Sequence, residues 1–135
     1  MAKKKTQSQL KKDCWKECSL FVRQSNADQN GICTCATCGV QKHWKELQAG
    51  HAIGGRHNYI LFDLDILFPQ CPTCNIWRGG EYEKFAVILI KKHGLDWYEE
   101  KLRYKSKQFT AQELIDLKDA FKEKLKHLTS LSTNE

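Results

Sequence analysis

Two pairs of cysteines carry the strongest chemical signal in this chain. The first pair is Cys35 and Cys38, the second is Cys71 and Cys74, and residues 39–70 separate them. Four thiolates at this spacing are typical of a closed, tetrahedral zinc site that joins distant segments of a chain. We therefore predict a structural Zn²⁺ ion on these four cysteines. A thiol redox role for a single pair is the poorer alternative, because the pairs complete each other as one four-sulfur site.

The other three cysteines have less certain roles in the sequence. Cys33 stands two residues before Cys35 and could compete with it for the ion. Cys14 and Cys18 lie four residues apart in a predicted helix. We expect these two to be small buried hydrophobic residues rather than ligands of a second metal.

A zinc ion on these cysteines would bring two further polar residues together. His51 lies between the pairs, and Asn75 directly follows the last cysteine. A neutral imidazole with a pKa near 6.5 can accept a proton from water, and a carboxamide oxygen can bind a divalent cation. The two residues thus meet the minimum needs of metal-assisted phosphodiester hydrolysis. Their ordinary alternatives are a structural histidine and an asparagine that caps a helix.

A longer string of motifs carries a family resemblance. In order they are Asp13-Cys14, Phe21-Val22-Arg23, Asp28-Gln-Asn-Gly31, Cys33-Thr-Cys35-Ala-Thr-Cys38-Gly39, Ala49-Gly50-His51-Ala52-Ile53, Arg56-His57 and Gln70-Cys71-Pro-Thr-Cys74-Asn75. This string resembles the phage NinG (Rap) recombination endonucleases over roughly residues 11–104. The cysteine pairs with Gly50-His51 and Asn75 also look like the zinc-stapled HNH, or ββα-metal, nuclease motif, similar to phage recombination endonuclease VII.

The resemblance implies a DNA endonuclease that cleaves branched DNA, such as Holliday junctions or flaps. It implies that His51 is the general base and that Asn75 binds a catalytic Mg²⁺ or Mn²⁺ ion. The chain departs from the broader HNH pattern at Gly50, where an acidic metal ligand is usual, and at Ile66, where an asparagine is usual. Candidate substitutes for the second metal ligand are Asp63, Asp65 and His57.

The charge balance favours a partner that carries phosphate groups. The chain has 22 Lys and Arg residues against 16 Asp and Glu residues, a formal net charge of +6. A zinc ion with four thiolates would leave about +4. The candidate DNA contacts are Arg56, His57, Arg78, Lys11, Lys12 and Lys16. Contacts of this kind give position and salt dependence rather than sequence readout, so we expect selection by DNA shape.

Two rival functions fit the same residues. A non-catalytic zinc module that binds DNA or protein would use the cysteines while His51 and Asn75 merely pack and cap. A sequence-specific HNH nuclease of the homing or restriction type would share the chemistry but would prefer particular DNA sequences. Paired incision across a junction would favour a homodimer.

Composition and length indicate one globular domain. The chain has 135 residues, of which 41% are hydrophobic and 28% charged. The longest apolar run, residues 85–90, is too short to cross a membrane, so we expect no membrane partner. The lysine-rich start lacks the apolar stretch of a signal peptide. We therefore expect a cytoplasmic protein, which the resemblance would place in phage or prophage and its bacterial host.

The expected fold class is α+β, with a zinc-stapled ββα-metal core that includes a short β-hairpin and has helices on both sides. Hydrophobic periodicity predicts helices over residues 9–27 and 81–93, with a shorter helical turn over 95–104. Residues 32–41 are predicted to form a zinc knuckle, 46–53 and 59–68 to form the hairpin strands, and 74–77 a helical start. Residues 1–8 are expected to be a flexible basic tail, 9–128 one nuclease domain, and 129–135 a frayed end.

The C-terminal helix has a clear start and a regular apolar stripe. Thr110 and Glu113 form the sequence pattern of a capping box. The stripe consists of Leu114, Leu117, Phe121, Leu125 and Leu128. It favours packing within the chain, and a dimer seam is the alternative.

Overall fold

The computed structural model describes the backbone of residues 4–133 and the side chains of residues 4–129. The principal elements are α1 (Gln7–Ser25), β1 (Ile32–Thr34), β2 (Gln41–His43), β3 (Gln48–His51), α2 (Asn58–Leu61), β4 (Leu67–Gln70), α3 (Tyr82–His93), α4 (Leu95–Leu102) and α5 (Ala111–Thr133). A π-helical turn, Thr73–Trp77, follows β4. The predicted α+β class is confirmed by these helices and by two small sheets.

Each sheet is an antiparallel pair of short strands. In the first, Ile32 of β1 lies opposite His43 of β2, and the first cysteine pair occupies the loop between the strands. Gly39 closes this loop with a φ of 81°, a left-handed conformation that glycine adopts without strain, and its N–H donates to the Cys35 carbonyl oxygen at 2.9 Å. The predicted zinc knuckle is therefore the tip of a β-hairpin, whose three-residue strands were not predicted.

The second sheet pairs β3 with β4. His51, the last residue of β3, lies opposite Leu67, and Gln48 lies opposite Gln70. The strand predicted over residues 46–53 is confirmed in its centre.

The strand predicted over residues 59–68 is wrong for most of its length. Ile60 and Leu61 bury their side chains from the short helix α2. Asp63 then caps a 3₁₀ turn, Leu64–Ile66, by accepting a hydrogen bond from the N–H of Asp65 at 3.0 Å. Only Leu67–Gln70 forms a strand, because the capping carboxylate keeps the preceding backbone in a turn.

Helix α1 begins two residues earlier than predicted. Thr6 forms a capping box with Gln9, in which the Gln9 N–H donates to Thr6 Oγ1 and the Gln9 side chain accepts from the Thr6 N–H. The helix therefore starts inside the predicted basic tail, and residues 1–3 of that tail lie outside the described residues. Its buried face packs against β3 and against Phe121 of α5.

The long helix α5 begins with the predicted capping box. The Glu113 N–H donates to Thr110 Oγ1 at 3.1 Å, and Glu113 Oε1 accepts from the Thr110 N–H at 3.2 Å. Leu114 and Phe121 are buried within the chain, which confirms the core interpretation for the first half of the stripe. Leu125 and Leu128 are half-buried. The helix extends to Thr133, and residues 134 and 135 of the predicted frayed end lie outside the described residues.

Helices α3 and α4 close the domain beyond the second sheet. Phe85 and Leu89 of α3 are fully buried in a cluster with Ile60 and Ile66, and Gly94 ends the helix as predicted. Across residues 4–133, no helix combines the length and apolar character that spanning a membrane requires.

Candidate metal centre and adjoining cleft

The four predicted zinc ligands form one cluster. The sulfur atoms of Cys35, Cys38, Cys71 and Cys74 all lie within 4.8 Å of one another. The Cys38 and Cys71 sulfurs are 3.7 Å apart. A tetrahedral ion with Zn–S bonds of about 2.3 Å requires sulfurs about 3.8 Å apart, so the arrangement fits zinc. The β1–β2 loop and the segment after β4 can thus hold one ion between them.

Hydrogen bonds favour the ionised form of one of these thiols, Cys35, whereas burial raises the pKa of Cys74 to about 12. The Cys74 N–H donates to Cys71 Sγ at 3.5 Å, and Thr37 Oγ1 lies 3.5 Å from Cys35 Sγ. Burial opposes ionisation of Cys35, but hydrogen bonds from the Cys71 backbone and from Thr37 outweigh it and lower the pKa of Cys35 to about 6. A thiolate that is stable near neutral pH is the form that binds zinc.

The remaining cysteines lie outside this cluster. Cys33 is buried, and its sulfur is 3.7 Å from the Arg23 carbonyl oxygen. Cys14 and Cys18 are fully buried in the α1 core, and burial raises the pKa of Cys18 to about 12. These two are small hydrophobic core residues, as predicted.

His51 is buried at the end of β3, with only 6% of its surface exposed. Its Nε2 atom lies 3.0 Å from the Leu61 carbonyl oxygen. Because that oxygen can only accept, Nε2 carries the proton and Nδ1 is left as the basic nitrogen. Nδ1 makes no hydrogen bond to the described residues, and it is not among their fully enclosed polar atoms.

Trp15 covers the His51 imidazole, and Arg56 lies over the Trp15 ring. The rings of Trp15 and His51 are stacked, with centroids 5.0 Å apart and planes 15° from parallel. The Arg56 guanidinium lies 4.8 Å from the Trp15 ring centroid. Burial lowers the pKa of His51, and the positive charge of Arg56 adds to this, while the bond to Leu61 opposes it. The imidazole is therefore neutral at neutral pH.

A cleft of about 370 Å³ opens beside this stack. Its walls are formed by Trp15, Ser19 and Arg23 from α1, by Leu47, Gln48 and Ala49 at β3, and by Arg56 and Asn75. No carboxylate lines it, and neither arginine has an ion-pair partner among the side chains of residues 4–129. The cleft therefore has a positive potential and suits an anion.

Asn75 reaches the cleft from the π-helical turn that carries the last zinc ligand. Its Nδ2 atom donates to Gln48 Oε1 at 2.7 Å, which leaves its Oδ1 atom as an acceptor for a cation. Asn75 and the Trp15 ring that covers His51 thus line the same cleft. His51 lies behind the Trp15 ring and is not one of the residues that line the cleft.

The three tentative substitutes for a metal ligand lie elsewhere. Asp63 forms an ion pair with Lys101, and Asp65 is exposed in the 3₁₀ turn. His57 stacks on Tyr59 and meets Tyr104 edge-on. None of them lines the cleft, and among the described residues the four cysteines are the only His, Cys, Asp or Glu cluster with metal-binding geometry.

The packing around Gly50 explains why this position carries no acidic metal ligand. A Cβ atom at this position would collide with the carboxamide of Gln70, whose side chain is fully buried. Gln70 is fixed because its Nε2 donates to Thr37 Oγ1 at 3.1 Å and to the Gly80 carbonyl oxygen at 3.0 Å. The carboxamide thus occupies the space that a side chain at position 50 would need.

The predicted DNA contacts are divided between two surfaces. Arg56 lines the cleft, and Lys12 and Lys16 are exposed on α1 close to the turns that carry Trp15 and Ser19. Lys11 instead donates to Asn58 Oδ1 at 2.9 Å and lines a separate crevice. Arg78 is exposed next to the zinc ligands.

Sequence reasoning missed Trp15, Arg23 and Gln48 as site residues. The spacing of Trp15, Ser19 and Arg23, each four residues apart, puts them on one face of α1 and was an available signal. For Gln48 the sequence offers only its place in the strand that ends at His51.

Comparisons with known proteins agree with the motif string. The family model described as "Bacteriophage Lambda NinG protein" matches residues 1–130. No curated protein matches the chain, and no solved structure does. Because the family match covers nearly the whole sequence, the chain belongs to the bacteriophage Lambda NinG family.

Proposed function

We propose that this chain is a Mg²⁺-dependent endonuclease that acts on branched DNA. One observation carries the proposal: a positive cleft without carboxylates is lined both by Asn75 and by Trp15, the ring stacked on the buried, neutral His51. A positive surface alone would suit any phosphate ligand. The basic nitrogen and the free amide oxygen add the two groups that hydrolysis needs.

The order of elements supports the same proposal. β3 ends in His51, β4 returns antiparallel to it, and the helical turn after β4 presents Asn75. Two strands followed by a helical segment is the arrangement that the HNH resemblance implies. Zinc between the β1–β2 loop and this turn would fix the position of Asn75, since Cys74 is its immediate neighbour.

Each residue has a distinct task in the proposed reaction. Gln48 orients the Asn75 amide so that its Oδ1 can hold the cation. When bound, Mg²⁺ would offset negative charge on the phosphate oxygens and on the departing 3′-oxygen. His51 Nδ1 takes a proton from the water whose oxygen attacks phosphorus, while the Leu61 carbonyl keeps the ring in its tautomer. The P–O3′ bond breaks, which gives a 5′-phosphate and a 3′-hydroxyl.

The arginines would bind the DNA strand. Arg23 is held by hydrogen bonds from its Nε to the Ser19 carbonyl and hydroxyl oxygens at 3.1 and 3.2 Å. Its Nη1 donates to the Trp44 carbonyl oxygen at 3.5 Å, so Nη2 is the terminal nitrogen that would donate to phosphate. Arg56 and the exposed lysines Lys12 and Lys16 would extend the track of contacts along the backbone.

The proposal is tested by nicking of a synthetic four-way junction with Mg²⁺, compared with a linear duplex of the same sequences. We expect cleavage of the junction with 5′-phosphate ends and much slower cleavage of the duplex. Asn75→Ala should require a higher Mg²⁺ concentration, while Asn30→Ala, at an exposed turn position, should not. Binding of both DNAs without any cutting would instead support a non-catalytic zinc module, and strong preference for one sequence would support a homing or restriction type of enzyme.

A further inference from the structure

Two apolar side chains project into solvent next to the cleft. Trp77 is 83% exposed and Ile76 is 59% exposed, at the end of the turn that carries Asn75. Tryptophan is normally well buried, because it has the largest apolar surface of any side chain. Among the large hydrophobic residues of the described chain, none is more exposed than Trp77. We call Ile76 and Trp77 the apolar knob.

The backbone beneath the apolar knob is firmly held. The Arg78 N–H donates to the Thr73 carbonyl oxygen at 2.8 Å, and the Gly80 N–H donates to that of Cys74 at 3.0 Å. The backbone on either side of Trp77 is therefore tied to the zinc-ligand segment, which keeps the residue at the surface.

The surroundings of the apolar knob are basic. Arg78 follows Trp77 directly, and with Lys42 it lines a hollow of about 220 Å³. Within residues 4–129, neither cation has an ion-pair partner. An exposed aromatic ring whose neighbour in the chain is an arginine without an ion-pair partner in this range is complementary to a nucleobase that is attached to phosphates.

We propose that Trp77 stacks on an unpaired nucleobase at the branch point of the DNA substrate. This inference rests on the proposed function and deepens it, because it names the feature by which branched DNA is selected. Trp77 lies two residues after Asn75, a span of at most about 7 Å. Side chains two residues apart on a helical turn point to different sides, so the ring would meet a base of the strand that leaves the cleft and not the base at the Asn75 phosphate. The bases of an intact duplex are already stacked, whereas a branch point exposes a free face.

The test compares binding of two DNAs without added divalent cation, so that cleavage plays no part. One is a branched DNA with unpaired bases at the branch point, and the other is a linear duplex of the same length. Stacking of one base contributes about 1–3 kcal/mol, so Trp77→Leu should weaken binding of the branched DNA by about 5- to 140-fold. Binding of the duplex should change less than about 2-fold. Trp77→Phe should retain most of the preference because it keeps an aromatic face.

Val87→Ala is the matched control, since Val87 is 52% exposed on α3. It should leave the binding of both DNAs unchanged. A fluorescent base analogue, 2-aminopurine, placed unpaired at the branch point should be quenched by the wild type and by Trp77→Phe, but not by Trp77→Leu.

Several results would overturn the inference. Equal weakening on both DNAs would make Trp77 a general contact, and no change would remove it from recognition. Loss of a concentration-dependent dimer in Trp77→Leu would assign the apolar knob to a second copy of the chain. If branched DNA binds through Trp77 but is never cut, the role of Trp77 stands and the nuclease proposal fails. If junctions are cut and Trp77→Leu still prefers branched DNA over the duplex, only the role of Trp77 fails.

Discussion

The ring stacked on His51 helps to bury the imidazole and so keeps it neutral and able to accept a proton. Burial lowers the pKa of His51 below its ordinary value of 6.5, so cleavage should decline on the acid side only below that pH. Trp15→Leu would admit water to the imidazole, and the acid limb of the kcat/KM profile should move up toward 6.5 while the rate falls. Trp97→Leu is the control, because Trp97 stacks on His93 instead. A lower rate with an unmoved limb would limit Trp15 to a structural role.

The lowered pKa of His51 also makes the stability of the fold depend on pH. The folded state prefers the neutral imidazole, so the unfolded state binds more protons at pH values between the lowered pKa and 6.5. The contribution of His51 to the free energy of unfolding is therefore complete above 6.5. It is lost as the pH falls from there toward the lowered pKa.

The Gln70 side chain fills the space next to Gly50, so substitutions at the two positions should not have additive effects on the free energy of unfolding. Gly50→Ala should lower the free energy of unfolding by about 1–3 kcal/mol, because its Cβ meets the fixed Gln70 carboxamide. In a Gln70→Ala background the same substitution should cost much less. Urea unfolding of the four proteins gives the interaction energy directly. Additive effects would show that the collision does not account for glycine at position 50.

Helix α5 supports α1, the helix that forms one wall of the cleft. Phe121 shares a buried cluster with Cys14, Cys18 and Val22 of α1, and Trp15 packs against the same cluster. Phe121→Ala should lower the free energy of unfolding by about 3–5 kcal/mol. Ile115→Ala, at a position that is 38% exposed, should change it by less than about 1 kcal/mol. Equal effects in urea unfolding would mean that α5 does not anchor α1.

The long helices were predictable because each has repeated apolar positions and marked ends. The capping box of Thr110 and the glycine end at Gly94 are local signals, and both are found in the structure. The segment 59–68 was not predictable as helix and turn, because its apolar composition is equally suited to a strand. There the capping by Asp63 and the burial of Ile60 decide the conformation, and burial is a property of the whole fold.

The candidate site shows the same division. The four cysteines were predictable because the two-residue gap within each pair is typical of zinc ligands. The structure places the four sulfurs in one cluster. The cleft was not, since Arg23 and Gln48 meet Asn75 only after α1 has packed on β3. Asp63, Asp65 and His57, the candidates for a second metal ligand, do not line the cleft. The homodimer stays a prediction.

For the whole molecule, zinc would hold two otherwise separate segments together. The cysteine cluster has Leu47 and Cys33 as its buried neighbours, a small core for a domain of this size. A structural zinc site contributes about 10 kcal/mol or more, which is comparable to the entire stability of a domain. Removal of zinc by a chelator, or Cys74→Ser, should therefore unfold the domain as measured by circular dichroism. An unchanged melting temperature after proven loss of the metal would contradict this role.

In the proposed reaction, His51 removes the proton from the attacking water. The most direct test of this step is the single-turnover rate of junction cleavage at saturating DNA and Mg²⁺, for wild type, His51→Ala and the exposed control His127→Ala. We expect His51→Ala to be about 10²- to 10⁴-fold slower, with zinc content and DNA binding retained, and His127→Ala to cut at the wild-type rate. Cleavage by His51→Ala at the wild-type rate would contradict this step.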